Sequence, residues 1–170
     1  GVDQTVCAGQ TVTLTATGGA TYTWAPVVTN GTAFTPAATG TYTVTGTDAN
    51  GCINTDQVLV TVNPLPTIAV ADVTICATAT ATLTATGATT YTWAPATNLS
   101  AATGATVTFT PGTTTTYTIT GTTLGCTSTD QATVTVLPNA PINAGTDAVI
   151  CTGASTTLTA TGGVTYTWSP

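Results

Sequence analysis

Residues 13–26 read TLTATGGATYTWAP, residues 82–95 read TLTATGATTYTWAP, and residues 157–170 read TLTATGGVTYTWSP. Within each copy the pattern has a period of two, the period of a β-strand. Across Thr11–Thr17, Val12, Leu14 and Ala16 take one face and four threonines the other. Tyr22 and Trp24 share a face in the following run, and Gly18-Gly19 breaks the pattern where the chain must turn. The decisive stretch is therefore a pair of strands joined by a tight turn, and it occurs three times.

The surrounding sequence repeats with it. Cys7, Cys76 and Cys151 are spaced 69 and 75 residues apart, as are Trp24, Trp93 and Trp168. A later block is shared by two copies. Phe34-Thr35-Pro36 matches Phe109-Thr110-Pro111, Tyr42 matches Tyr117, and Thr55-Asp56-Gln57 matches Thr129-Asp130-Gln131. Repeat two carries an insertion around Asn98-Leu99-Ser100. Pro-rich links at Asn63-Pro64-Leu65-Pro66 and Leu137-Pro138-Asn139-Ala140-Pro141 separate the copies and favour extended spacers. The expected division is repeat 1 over residues 1–65, repeat 2 over 66–140, and the N-terminal part of a third over 141–170.

No run shows a helical period. Strands are expected at A (Asp3–Cys7), B (11–17), C (21–25), E (32–36), F (41–47) and G (55–62), with A and G as exposed edges. Short strands at this spacing predict an all-β chain of tandem immunoglobulin-like β-sandwich domains in a linear array. Trp in strand C and Tyr at the start of strand F suit core positions of that fold. If every turn reverses the chain, Cys7 and Cys52 reach the same end of the sandwich. This predicts disulfides Cys7–Cys52 and Cys76–Cys126 and leaves Cys151 unpaired, its unit being cut before its partner. Disulfides imply an oxidising, extracytoplasmic setting.

Composition removes whole classes of function. The chain has no Lys, Arg, His, Met or Glu, and its charge of −6 comes from six Asp. Without cations there is no phosphate-binding patch, so nucleic acid is excluded as a partner. Without His, Lys or Glu the usual acid–base and nucleophile-activating groups are missing, so no enzyme and no cofactor are expected. Thr interrupts the apolar positions too often for a membrane span. With no initiator Met and no signal peptide, the chain reads as a mature or excised stretch. Asp3, Asp72 and Asp147 stand four residues before each first cysteine, but one carboxylate per junction is too few for Ca²⁺. They are expected at strand ends, with no metal site.

Thr74-Ile75-Cys76, Ala81-Thr82-Leu83-Thr84-Ala85 and Tyr91-Thr92-Trp93-Ala94-Pro95, with the Thr47–Cys52 hairpin, resemble the Ig-like/PKD-like tandem repeats of large secreted Bacteroidota surface proteins. That resemblance implies the fold and a cell-surface or extracellular location, as stalks of adhesin and gliding-associated proteins. The expected function is a structural section of a long extracellular repeat protein, a surface stalk or filament whose units stack end to end and associate with other copies. The alternative is an adhesive or glycan-binding module. Asn30 and Asn98 fit the N-glycosylation pattern, and the outward Thr13, Thr43, Thr84 and Thr118 are candidate O-glycan sites on a surface short of solubilising charge.

Overall fold

A computed structural model describes residues 1–110 and 112–170. Pro111, the last residue of the shared Phe-Thr-Pro block, lies outside them. The first unit contains β1 (Gln4–Cys7), β2 (Val12–Thr13), β3 (Thr21–Ala25), β4 (Ala33–Phe34), β5 (Gly40–Thr47) and β6 (Ile53–Asn63). The second contains β7 (Val73–Cys76), β8 (Ala81–Thr84), β9 (Thr90–Ala94), β10 (Thr106–Phe109), β11 (Thr115–Thr123) and β12 (Cys126–Leu137). Each unit is a two-sheet sandwich. A four-stranded sheet, in the order β1-β6-β5-β3 or β7-β12-β11-β9, faces a two-stranded one, β2-β4 or β8-β10. This is the all-β, immunoglobulin-like sandwich class expected from the sequence. The expected B strand over 11–17 shortens to Val12–Thr13 in the first unit, although Leu14 beyond it is still buried.

The alternation read from the sequence fills the core. Val12, Leu14, Trp24, Tyr42, Val44, Val58 and Val60 close the first sandwich. The second is built on the equivalent residues with Phe109 fully buried, and its insertion adds Leu99 to the packing. Phe109 meets Tyr117 edge-on with ring centroids 5.9 Å apart, an arrangement worth about 1 kcal/mol beyond area burial. The Tyr117 hydroxyl donates to the Thr97 carbonyl at 2.7 Å, tying the insertion to the core. Trp24 and Trp93 are buried as expected, but Trp168 is 52% exposed. Residues 141–170 contribute one isolated bridge, Asn143 with Thr161.

One expectation about edges is corrected. Strand G is not an edge, because β1 pairs parallel to β6 from Gln4↔Val60 to Cys7↔Asn63, and β7 pairs with β12 in the same way. The four-stranded sheets therefore end at the A and C strands. Asp3 and Asp72 serve this pairing: their carboxylates accept from the amides of Leu59 (2.9 Å) and Thr133 (2.7 Å) beside the short A strands.

Because Phe109 has no solvent exposure and packs on Tyr117, Phe109→Ala is expected to destabilise the second unit by about 3–5 kcal/mol. Chemical denaturation followed by Trp93 fluorescence checks this, with the first unit, reported by Trp24, unchanged.

Candidate functional site

The parallel A–G pairing decides where the cysteines lie. Cys7 stands beside Asn63, the last residue of β6, whereas Cys52 immediately precedes Ile53, its first. Ten residues of extended chain separate those ends, roughly 33 Å. A disulfide needs Cα atoms within about 7 Å. The expected Cys7–Cys52 bond is thus impossible in this fold, and Cys76–Cys126 fails because Cys76 pairs with Leu137 at the far end of β12. The physical reason lies in the C–E connection. It crosses from one sheet to the other without reversing direction, so strand direction cannot be counted by alternating at every turn.

Cys7 instead bonds Cys126, with a Cα–Cα distance of 5.6 Å across 119 positions of sequence. The bond joins the A strand of the first unit to the β11–β12 hairpin of the second. Cys126 is buried, and Cys52, Cys76 and Cys151 are free and exposed. Asn63 reinforces the junction by donating from its side-chain amide to the Leu124 carbonyl at 3.1 Å. Leu124 and Gly125 form the two-residue turn of that hairpin, both with positive φ (51° and 80°).

The link itself completes the junction. After Pro64-Leu65-Pro66, Ile68 and Val70 pack against the core of the second unit, and Ala69 bridges Thr86. A Cβ on Gly121 would lie 2.1 Å from Ile68 Cδ1, and one on Gly87 would lie 1.7 Å from the Thr67 carbonyl oxygen. Both glycines are bare because the link lies on them. The sequence showed glycine at Gly46 and Gly121 and an Ile after each Pro-rich link, but strand periodicity gives no reason to connect them. Only the junction does.

In the first unit the corresponding hairpin is one residue longer. The Asp48 carboxylate accepts from the amides of Asn50 (2.8 Å) and Cys52 (2.9 Å), and Gly51 takes the positive φ (83°) that closes the turn. Those bonds, the Cys52 amide first and then that of Asn50, lower the Asp48 pKa below the ordinary carboxylate value.

The candidate glycan sites have varied surroundings. The Asn30 side chain accepts from Ala16 N (2.7 Å) and Trp24 Nε1 (3.3 Å) and donates to the Ala16 carbonyl (3.2 Å), so its amide is engaged under the C–E loop. Asn98 is half-buried with φ at 63°. Gln57 and Gln131 donate to the hydroxyls of Thr43 (3.1 Å) and Thr118 (3.3 Å), Thr84 lies 3.4 Å from Thr106 across the strands, and Thr13 is exposed. Among the described residues no cluster of three or more His, Cys, Asp or Glu could hold a metal ion.

No protein-family model matches the chain, and no curated protein does. Solved structures of immunoglobulin tandems are similar in fold. A chimeric titin Z1Z2 tandem carrying a GRGDS peptide from fibronectin is 18% identical, with 80% of this chain and 95% of that one covered and a TM-score of 0.35. The first four immunoglobulin domains of Sidekick-1 are 17% identical over 85% of this chain and 52% of that one (TM-score 0.37). A three-domain titin segment is 14% identical over 81% and 63% (TM-score 0.44). The chain thus spans about half to two thirds of the longer tandems.

Two outcomes follow. Replacing both bonded cysteines (Cys7→Ser with Cys126→Ser) is expected to leave each sandwich folded and free the angle between them; small-angle scattering should show a broader range of maximum dimensions. A stabilising contribution from the lowered Asp48 pKa is complete above the ordinary carboxylate pKa and is lost as pH falls through the folded value. The amide resonances of Asn50 and Cys52 should therefore titrate together in acid, and Asp48→Asn should remove that titration.

Proposed function

We propose that the chain is a structural section of a long extracellular repeat protein, in which immunoglobulin-like units stack end to end as a surface stalk or filament. The observation that carries this is the Cys7–Cys126 bond, which joins the ends of neighbouring units rather than stabilising one unit internally. A bond there fixes the angle between units and changes how the chain carries tension. Pulled from its ends, the chain transmits force through residues 1–7, across the disulfide and on through β12, so residues 8–125 lie outside the load path. The division into residues 1–65, 66–140 and 141–170 fits this reading. So do the resemblance to Bacteroidota surface repeats and a disulfide suited to an oxidising, extracellular location.

The composition gives this surface no cationic side chain and no catalytic constellation, so no enzymatic activity is assigned. The adhesive alternative draws little support from the aromatic rings, because Trp24 and Trp93 are 6% and 3% exposed and face the cores. O-linked glycans on outward threonines, Thr13 first, belong to the same proposal as a coat for a β-surface sparse in charge.

Single-molecule stretching tests the reading. With the disulfide intact, the 119-position loop closed by it should stay out of the extension. Adding a reductant should release about 400 Å of further contour length. Full extension without reductant would contradict the proposal.

A further inference from the structure

Each larger sheet ends at its C strand, β3 in the first unit and β9 in the second, and the two edges differ. Beside β9 run residues 102–104 of the lengthened C–E connection. Trp93 N donates to the Ala102 carbonyl at 2.8 Å, Gly104 N donates to the Tyr91 carbonyl at 3.2 Å, and Thr92 pairs antiparallel with Thr103. The Trp93 indole adds a bond to the Gly104 carbonyl at 2.9 Å. The second unit thus closes this edge from within itself.

The first unit has no such cover. Phe34 follows Trp24 by ten positions, where Phe109 follows Trp93 by sixteen. The shorter connection passes straight to the other sheet, with Gly31 N donating to the Leu14 carbonyl at 2.9 Å and Asn30 Oδ1 accepting from Ala16 N at 2.7 Å. Among the described residues nothing pairs with the outer side of β3, which leaves the Trp24 amide and the Tyr22 carbonyl without backbone partners. This difference is set by residues 26–33 and owes nothing to what precedes residue 1. The bare edge also lacks the charges that usually discourage pairing with another chain, since no charged residue occurs between Asp3 and Asp48. Thr21, Thr23 and Ala25 are exposed. Val27, just past the strand where the second unit has Ala96, is 94% exposed.

We propose that β3 is the docking site for β3 of a second copy of this chain, the two strands pairing antiparallel about a two-fold axis at Thr23. The register follows from the second unit. There the Thr92–Thr103 pair is flanked by a bond from the amide after Thr92 and a bond to the carbonyl before it. Setting Thr23 opposite the partner's Thr23 reproduces that pattern with one sequence on both sides. Trp24 N then donates to the partner's Tyr22 carbonyl, and the partner's Trp24 N donates to the Tyr22 carbonyl. Main-chain bonds supply the attraction in strand addition of this kind, and Val27 gives its flank apolar surface to bury. Because the interface is isologous, it closes at two copies. It joins two arrays side by side, goes beyond end-to-end stacking and does not depend on it.

Sedimentation of the thiol-blocked full chain over a micromolar to millimolar series tests this. The expected result is a monomer–dimer equilibrium. Thr23→Lys sets two like charges face to face and should weaken the dimer about tenfold or more. Thr23→Glu alone should do the same, and mixing the two variants should restore the dimer, because each lysine then faces a glutamate. Thr92→Lys, at the matching place on the covered edge, should leave the equilibrium unchanged. Both positions are exposed, so the sandwiches should stay folded in every variant. A monomer throughout, assembly past the dimer, no rescue on mixing, or an equal loss from Thr92→Lys would overturn the proposal. None of these outcomes bears on the Cys7–Cys126 bond, which extension before and after reduction reads separately.

Discussion

The parallel pairing of a four-residue A strand with the end of strand G is the constraint from which the junction follows. It carries Cys7 to the same end as Asn63 and Cys76 to the same end as Leu137. The F–G hairpins point the other way. Each unit therefore has one cysteine at each end, and a bond can form only between neighbours. A small sandwich whose core includes alanine at Ala81, Ala85 and Ala132 has limited apolar area to bury. Here the covalent constraint lies between the two units rather than within either.

Much of the fold was legible in the sequence because strand periodicity is a local property. Val12 and Leu14, Tyr42 and Val44, and Val58 and Val60 are buried where alternation put them, and Trp24 and Trp93 face the cores. The junction was not legible, because it depends on chain direction across a sheet-to-sheet crossing, and no local pattern records that direction. The same cysteines that fitted an intra-unit bridge under simple alternation form a bond between units once the C–E crossing is set correctly. Trp168 shows the complementary limit: its motif matches those of Trp24 and Trp93, yet its ring is 52% exposed, because burial depends on packing partners that the local motif does not contain.

The surface carries the same logic. In place of salt bridges between side chains, the described outward strand positions use Thr–Thr and Thr–Gln contacts, such as Thr116 with Thr133 at 3.0 Å and Gln57 with Thr43 at 3.1 Å. Such contacts are insensitive to salt and to pH across the range where carboxylates stay ionised. Strand A, an edge of each larger sheet, is short and tied at its start by Asp3 or Asp72 and at its end, in the first unit, by the disulfide. Edge protection without lysine is thus shared between carboxylates and the neighbouring unit.

The claim on which this account stands is that the bridge crosses between units. Proteolysis of the non-reduced, thiol-blocked chain followed by mass spectrometry measures it directly. The account predicts a peptide pair containing Cys7 and Cys126, with Cys52 and Cys76 recovered blocked in the monomer. Pairs joining Cys7 to Cys52 and Cys76 to Cys126 would contradict it, and with it the parallel placement of strand A.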